Sequence, residues 1–383
     1  MEINNIFPKG FLWGSATASY QVEGGIENCD WAILAKQTKK IPEALNACEH
    51  YTRYDADFDI IQSLNQNAHR LSIEWARIEP KEGEFDNNAI EHYRQVLINL
   101  KQRGIHRSVT IWHFTLPMWF YEKGGFEKEE NIFYFVRYAK KVIESLKDVT
   151  SDFSSINEPM VYASNGYLRA FWPPFKRNLF ILLKVISNIA TAHNEIYAWK
   201  KMAFPDVILG IAKNNVSFEG SGFITKKIAK FLWWFRNDRF LLMIKGNVDF
   251  IGLNYYFHTM VGSRSKGPFS DMGWEIYPKG IYDLLIDLKK YNVPLYITEN
   301  GIADERDDRR GDFISQHIEW VHKAIEDGAN VKGYYYWSLL DNFEWAFGFS
   351  KRFGLIEINY DTMERNIRPS ALVYKFICEH NGF

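Results

Sequence analysis

The chain has 383 residues, of which 46% are hydrophobic and 24% are charged, so it can bury a large core and is not expected to be disordered. Its net charge of −1 at pH 7 gives no electrostatic basis for binding nucleic acid. Three widely spaced cysteines, Cys29, Cys48 and Cys378, predict neither a disulfide framework nor a metal site. Residues 1–10 lack a secretory leader pattern and no apolar run is long enough to cross a bilayer, so we expect a cytoplasmic protein without stable membrane insertion.

Strand-like and helix-like patterns alternate along the whole chain. The predicted strands lie at 10–17, 68–75, 106–112, a run that ends at Glu158, 207–213, 248–254, a run that ends at Glu299, and 331–338. The predicted helices lie at 52–64, 88–103, 129–147, 179–202, 225–236, 281–290, 314–327 and 370–378. Eight β/α units in unbroken order predict a single α/β domain over 1–383, a (β/α)8 TIM barrel. The alternative is a doubly wound open sheet, which would normally show a glycine-rich phosphate turn that this sequence lacks.

Two of the predicted strands end in a glutamate that is followed by a residue that breaks the strand. Glu158 precedes Pro159, and Glu299 precedes Asn300 and Gly301. In a parallel barrel the C-terminal ends of the strands carry the active site, so both carboxylates would lie at one rim. A pair of carboxylates in this position is the arrangement that glycoside hydrolysis uses, one as acid/base and one as nucleophile or base.

Polar and aromatic residues also lie near the ends of the other predicted strands. They are Gln21, Glu23, Arg70, His113, Asn157, Asn214, Asn215, Asn254, Tyr255, Tyr256 and Trp337. Taken singly, each has a structural alternative: Arg70 could be a buried ion-pair partner, His113 a core histidine and Asn157 a turn cap. Trp337 could fill the barrel, and one of the two adjacent tyrosines is expected to be packing. Packing alone would not bring such groups to all eight strand ends, so we interpret the set as one site.

Several segments carry motifs that occur in a fixed order. They are Phe11–Ala18, Gln21–Gly24, Arg70–Trp75, Trp112–Phe114, Asn157–Pro159, Gly252–Tyr256, Ile297–Gly301, Trp337–Trp345 and Arg352–Leu355. Asn-Glu-Pro alone is a weak signal, but its combination with Thr-Glu-Asn-Gly and Trp-Ser-Leu-Leu-Asp-Asn-Phe-Glu-Trp is highly specific. The chain resembles glycoside hydrolase family 1, the β-glucosidase family, over nearly its full length.

The resemblance implies a role for each matching residue. Glu299 corresponds to the nucleophile of the family and Glu158 to its acid/base. The residues that would hold the non-reducing sugar are Gln21, His113, Asn157, Glu344 and Trp345, with Trp337 as the aromatic floor. Arg70 and Tyr256 would orient the nucleophile and keep it ionised, Asn254 would line the same region, and Trp274 would lie near the aglycone entrance.

The function implied is retaining hydrolysis of terminal non-reducing β-D-glycosidic bonds, with β-glucosides as the leading substrates. The negative charge of Glu299 is expected to raise the pKa of Glu158 so that it begins protonated. β-Galactosides or β-fucosides are alternative substrates, and transglycosylation is an alternative reaction. A non-catalytic sugar-binding relative is disfavoured because both glutamates are present. We expect a small-molecule β-glycoside or oligosaccharide as partner and no metal or organic cofactor; the sequence does not predict the oligomeric state.

Some positions depart from the pattern of the family. The chain is shorter than most members, and the shortening is placed between strands four and six and in the loop 303–312, which predicts an open acceptor pocket with loose aglycone selectivity. Lys351 matches a lysine of the 6-phosphosugar branch, but Glu344 and Phe353 replace its serine and tyrosine. An anionic Glu344 would repel phosphate, so unphosphorylated glycosides are expected. Phe114 stands where many members have tryptophan, which leaves the glycone preference open.

One further segment, 226–245, is both basic and aromatic. It could lie on a membrane surface or form a subunit contact. The favoured interpretation is a barrel helix with the turn that flanks it.

Overall fold

A computed structural model describes residues 5–383 of the chain. It contains twelve strands: β1 Leu12–Ala16, β2 Ala68–Ser72, β3 His106–Trp112, β4 Asp152–Asn157, β5 Ile208–Asn214, β6 Ser217–Gly220, β7 Ile251–Tyr255, β8 His258–Val261, β9 Leu295–Asn300, β10 Val331–Trp337, β11 Ile356–Asn359 and β12 Glu364–Ile367. Eight of them close a barrel in the order β1-β2-β3-β4-β5-β7-β9-β10, and every neighbouring pair is parallel. The predicted TIM barrel is confirmed, and the open doubly wound sheet is excluded.

Helices surround the barrel and fill the connections between its strands. They are α1 Ser19–Val22, α2 Asp30–Thr38, α3 His50–Ser63, α4 Trp75–Ile78, α5 Asn87–Gln102, α6 Met118–Glu122, α7 Ile132–Leu146, α8 Pro159–Tyr167, α9 Leu179–Ala203, α10 Phe223–Trp233, α11 Arg239–Met243, α12 Lys279–Leu288, α13 Arg310–Glu326 and α14 Pro369–His380. Short 3₁₀ turns lie at Gly125–Glu127, Glu129–Asn131, Lys289–Tyr291 and Trp345–Phe347, and a π-helical turn, Trp234–Asp238, joins α10 to α11.

Helix α5 shows why the longer helices form where the sequence predicts them. Asp86 caps its N-terminus by accepting hydrogen bonds from the backbone N–H groups of Asn88 and Ala89, at 2.8 and 3.2 Å. Tyr93 and Leu97 lie four residues apart on the face that is buried against the barrel. A cap followed by apolar residues at helical spacing therefore fixes both the start of the helix and its orientation.

The structure corrects several of the predicted boundaries. Strand β4 ends at Asn157, one residue before Glu158, and β9 continues one residue past Glu299. The predicted helix at 129–147 begins only at Ile132, after a 3₁₀ turn. Helix α8 and the strands of two small sheets, β6 with β8 and β11 with β12, were not predicted. Each of these four strands has only four residues, which is too short for an alternating pattern to be recognised in the sequence. Pairing with a strand that is distant in the chain stabilises them, and this pairing leaves no local signal.

The segment 226–245 is helical, as favoured from the sequence, but it forms most of α10, the π-helical turn and α11 instead of one barrel helix with a flanking turn. Helix α10 packs on β6, and its outer face leaves Phe223 76% and Phe231 58% exposed. Within residues 5–383, no helix is at once long enough and apolar enough to cross a membrane.

Glycine is required where β9 leaves the barrel next to the end of β10. A Cβ atom added to Gly301 would lie 1.7 Å from the carbonyl oxygen of Trp337, far inside van der Waals contact. The close approach of these two backbones brings the end of β9, with Glu299, beside Trp337 at the C-terminal rim of the barrel.

Candidate active site

The C-terminal rim of the barrel opens into a cavity of about 510 Å³. Of the residues predicted from the sequence, those that line it are Gln21, His113, Asn157, Glu158, Asn214, Tyr256, Trp274, Glu299, Trp337, Glu344, Trp345 and Phe353. Residues separated by more than 300 positions in the chain therefore meet in one pocket. The size of the cavity suits a ligand of one or two sugar rings.

Glu299 is held by two hydrogen-bond donors. Arg70 donates from Nη1 to Oε1 at 2.6 Å, and the hydroxyl of Tyr256 donates to Oε2 at 2.6 Å. A bulge in β9 places both Thr298 and Glu299 opposite the single residue Asn254 of β7, and this extra residue re-aims the glutamate at the cavity. These two donors, a guanidinium and a phenol hydroxyl, fix the orientation of both carboxylate oxygens.

Glu158 occupies the turn between β4 and α8 in a left-handed backbone conformation, with φ 45°. Its N–H donates to the carbonyl of Ala212 on β5 at 2.8 Å, and Pro159 begins the helix. Although Glu158 stands at the N-cap position, its side chain caps no backbone N–H group. The carboxyl is instead turned into the cavity, where Asn254 Nδ2 donates to its Oε1 at 2.9 Å. A left-handed glutamate costs free energy, and strain of this kind is often part of an active site.

Asn157 connects the two glutamates through shared hydrogen-bond donors. Its Oδ1 accepts from Arg70 Nη2 at 2.7 Å and from Asn254 Nδ2 at 3.2 Å. Arg70 also contacts Glu299, and Asn254 also contacts Glu158, so one network joins both carboxylates. Thr298 orients Asn254 by donating from Oγ1 to its Oδ1 at 2.6 Å. All members are buried, so the geometry is fixed before any ligand enters.

The protonation of the site follows from burial and from neighbouring charges. Burial raises the pKa of Glu158, and the negative charge of Glu299 raises it further. The direction agrees with the expectation from the sequence, but burial rather than Glu299 is the larger cause. Burial also raises the pKa of the Tyr256 hydroxyl well above its ordinary value, which keeps it a donor. Burial lowers the pKa of His113 well below its ordinary value, which keeps the ring neutral.

Glu344 differs from the anion that was assumed from the sequence. Burial, together with the charges of Glu299 and Glu158, raises its pKa to about 8. The neutral form is therefore favoured at pH 7, because burial and the nearby charge of Glu299 both oppose its ionisation. Gln21 Nε2 lies 3.4 Å from Glu344 Oε2 and holds the side chain at the wall of the cavity.

Two buried polar atoms at this wall have no hydrogen-bond partner among the described residues: Oε1 of Gln21 and Nδ1 of His113. Asn157 Oδ1 is an acceptor, so its Nδ2 must donate to His113 Nε2 at 3.1 Å, and the neutral ring then carries its proton at Nδ1. The wall thus offers a free acceptor and a free donor beside the indole of Trp345, whose ring is stacked on His113 at 6.1 Å. Unpaired buried groups next to an aromatic face are suited to the hydroxyls and C–H face of a sugar.

Some residues proposed from the sequence do not line the cavity. Arg70 and Asn254 lie behind the wall of the cavity, where they contact Glu299 and Glu158. The expectation that Asn254 lines the pocket is therefore not met. Glu23 pairs with Arg77 at 2.8 Å outside the cavity. Tyr255 is the packing member of the tyrosine pair, since its hydroxyl donates to the carbonyl of Tyr277.

Other residues that line the cavity were missed. Arg236 and Phe235 come from the α10–π segment, and Arg169 and Phe171 come from the connection that follows α8. None of them lies at the end of a barrel strand, so the rule that found the other residues could not find these. Within residues 5–383, no cluster of three or more His, Cys, Asp or Glu side chains could hold a metal ion.

Comparisons with known proteins agree with this geometry. The profile of glycosyl hydrolase family 1 matches residues 3–221 and 258–383. β-Glucosidase A of Thermotoga maritima is 33% identical over 438 aligned residues, which cover 98% of both chains. A β-galactosidase of Sulfolobus acidocaldarius is 32% identical and is covered to 96%.

Among solved structures, a β-glycosidase of Pyrococcus horikoshii superposes with a TM-score of 0.94 at 39% identity, over 99% of this chain and 96% of that one. The barrel, the paired glutamates and these matches agree with one another. The chain therefore belongs to glycosyl hydrolase family 1, and it is a glycoside hydrolase built on a TIM barrel.

Proposed function

We propose that the protein is a retaining β-glycosidase that releases terminal non-reducing β-D-glucosyl residues by double displacement. The observation that carries the proposal is the single buried network in which Arg70 and Tyr256 hold Glu299 while Glu158 has a raised pKa. A carboxylate held in place by two donors and a second carboxyl kept protonated match the nucleophile and the acid of this reaction. The name of the Thermotoga relative, β-glucosidase A, supports glucosides as the leading substrates.

In the first step, Glu299 attacks the anomeric carbon and Glu158 gives its proton to the leaving oxygen. The negative charge of Glu299 disappears as the glycosyl ester forms, so one cause of the raised pKa of Glu158 is removed. Glu158 can then accept a proton from the water that hydrolyses the ester. Asn157 would bind the sugar 2-hydroxyl, a contact that strengthens in the oxocarbenium-like transition state.

The glycone is proposed to be an unphosphorylated sugar held by Gln21, His113, Trp345 and Glu344, over the floor made by Trp337. Lys351, the residue that matches the phosphosugar branch, donates to the carbonyl of Asp271 at 2.7 Å and does not line the cavity. The neutral form of Glu344 can donate one hydrogen bond to a hydroxyl and accept another.

β-Galactosides are the second candidate, because the Sulfolobus relative is named a β-galactosidase. β-Fucosides and transfer of the sugar to an acceptor other than water are proposed as secondary activities of the same intermediate. We propose that the whole chain acts as one catalytic domain in the cytoplasm. The free and buried thiols of Cys29, Cys48 and Cys378 agree with a reducing compartment.

The test is initial-rate hydrolysis of the nitrophenyl β-glycosides of glucose, galactose, fucose and 6-phosphoglucose, beside the Glu299→Ala variant. Proton NMR of the first sugar released adds the stereochemistry. We expect the β-glucoside to be the best substrate, the β-anomer to appear first, and the variant to be inactive. Release of the α-anomer first would contradict the retaining mechanism, and preference for the phosphorylated sugar would contradict the assigned glycone.

A further inference from the structure

The cavity extends beyond Glu158 along one face of α8. Val161, Asn165 and Leu168 follow Glu158 at helical spacing, and all line the cavity from the acid outward. Because the acid protonates the leaving oxygen, the leaving group must extend along this face. The opposite wall is provided by Leu232 and Phe235 of the α10–π segment. The leaving-group side is therefore mostly apolar, in contrast to the carboxyl-rich sugar side.

Two guanidinium groups interrupt this apolar wall. Arg236 Nη2 donates to Asn214 Oδ1 at 2.7 Å, and this is its only side-chain hydrogen bond among the described residues. Arg169 is exposed at the same cavity. Neither arginine lies within ion-pair distance of a carboxylate in the part of the chain that the structure covers. By contrast, Arg309 contacts Asp271 and Asp304.

The charge of Arg236 is unfavourable where it stands. Burial lowers its pKa to about 10 although the nearby charge of Glu158 raises it, and the charge of Arg169 acts in the same direction as burial. Glu158 does not neutralise it by a direct contact, since Oε1 of that glutamate accepts from Asn254 and its raised pKa favours the protonated form. A ligand anion would supply the missing negative charge, and a carboxylate matches the planar fork of a guanidinium.

The position of Arg236 is specified by the π-helical turn Trp234–Asp238. Lys213 Nζ donates to the carbonyl oxygen of Arg236 at 2.6 Å. The side chain of Asn237 bonds to both the N–H and the carbonyl of Val216, at 3.0 and 2.9 Å. Turns of this kind occur frequently at functional sites. The turn lies in 222–257, the stretch that the family profile does not match, so Arg236 is not a residue taken over from the family pattern.

We propose that the leaving-group side selects aglycones that have an apolar body and a carboxylate, with Arg236 and Arg169 binding the carboxylate. The proposal rests on the proposed glycosidase function and deepens it by naming the substrate class. The apolar body packs between Leu168 and Phe235, and the carboxylate reaches the two guanidinium groups at the same end of the pocket. These arginines are specificity-determining residues and take no part in the bond exchange.

The experiment compares two β-glucosides, those of para-hydroxyphenylpropanoate and of the matching propanamide. Two methylene groups separate the charge from the ring, so the acidity of the leaving phenol is matched and only the charge differs. With the wild-type enzyme we expect kcat/KM to be about tenfold higher for the carboxylate, mainly through KM, and the advantage to shrink as salt is added. In the Arg169→Gln/Arg236→Gln double variant the ratio should fall to about one.

Arg177→Gln is the matched control, because Arg177 is exposed, carries the same charge and does not line the cavity. It should leave the ratio of the two substrates unchanged. Equal or faster cleavage of the amide by the wild type, persistence of the ratio in the double variant, or its loss in the control would each overturn the proposal. Failure of the glycosidase function itself would be distinguishable, since neither glucoside nor any nitrophenyl glycoside would then be cleaved.

Discussion

Arg70 Nη1 lies 2.6 Å from Glu299 Oε1, and its Nη2 lies 2.7 Å from Asn157 Oδ1. One guanidinium of β2 thus fixes both the proposed nucleophile on β9 and the residue that precedes the acid on β4. Its remaining contacts are Thr110 Oγ1 and the carbonyl of Thr298. From the sequence, Arg70 could be either a buried ion-pair partner or a residue that orients the nucleophile. The contact with Glu299 makes it both.

Replacing Arg70 with lysine should keep the positive charge but lose one of the two contacts, to Glu299 or to Asn157. An ammonium group can reach one acceptor but cannot reproduce the planar fork that spans Glu299 and Asn157. We expect kcat/KM for nitrophenyl β-glucoside to fall by about 100-fold, with the charge in the barrel retained. Steady-state kinetics and a thermal melt check this together. A folded variant with wild-type activity would show that the fork does not position the nucleophile.

Replacing Glu158 with glutamine should affect substrates unequally. Without the acid, cleavage depends on how easily the aglycone leaves unprotonated, so an alkyl glucoside should lose about 10²–10⁴-fold while an activated dinitrophenyl glucoside loses much less. The measurement is the ratio of kcat/KM for the two substrates in the wild type and in the variant. If kcat/KM fell by the same factor for both substrates, Glu158 would not be the acid.

Replacing Arg236 with glutamine should change the pH dependence with an uncharged substrate. Burial and Glu299 raise the pKa of Glu158, whereas Asn254 and Arg236 lower it. Loss of the positive charge lets Glu158 hold its proton to higher pH, so the basic limb of the kcat/KM profile should move upward. Arg177→Gln is again the control and should not shift the limb. A downward shift would contradict the assigned sign.

Replacing Glu344 with glutamine should stabilise the fold, and more so in alkali. Its pKa is raised from 4.5 to about 8, so between these values the folded state binds more protons than the unfolded chain. The free energy of unfolding of the wild type therefore falls as pH rises through this window.

Glutamine does not titrate, so the variant should gain about 1–3 kcal/mol at roughly pH 8.5 and less near roughly pH 4.5. Urea unfolding at both pH values measures the difference. A gain that does not depend on pH would mean that the carboxyl has an ordinary pKa in the fold. Activity on β-glucosides should fall, since the proposed sugar contact is altered.

Replacing Gly301 with alanine should disrupt the site through the backbone. The added Cβ would lie 1.7 Å from the carbonyl of Trp337, and neither backbone can yield without moving Glu299 or the proposed sugar floor. We expect loss of folded protein or of most activity. Gly311→Ala is the control, because its Cβ would meet only Val373 Cγ2 at 3.5 Å near the start of α13, and it should be neutral or slightly stabilising.

The residues that could be identified from the sequence are those tied to the ends of barrel strands. Glu158 and Glu299 follow apolar runs and precede breakers, so their shared rim follows from the regular geometry of a parallel barrel. The hydrogen bonds that connect the two glutamates could not be predicted in the same way. The left-handed turn at Glu158 and the bulge at Thr298 depend on tertiary contacts. Together they bring Asn254 to the position from which it donates to Glu158.

The leaving-group side was the least predictable part of the pocket. From the sequence, the shorter rim loops predict an open acceptor pocket with loose aglycone selectivity. The placement of Arg236 and Phe235 in the wall favours a defined preference in its place. Their position depends on a π-helical turn, and i→i+5 hydrogen bonds have no distinctive sequence pattern.

The two sides of the cavity also differ in how freely they can change. The sugar side is made largely by strand ends and by the loop after β10, which carry Glu299, Trp337 and Glu344. On the leaving-group side, the wall opposite α8 is carried by a continuous stretch between β5 and β7 that includes β6, α10, the π-helical turn and α11. Substitutions in that stretch can therefore reshape the wall that faces the leaving group without touching Glu158 or Glu299, and only a change at Arg236 would also reach the acid, through its pKa.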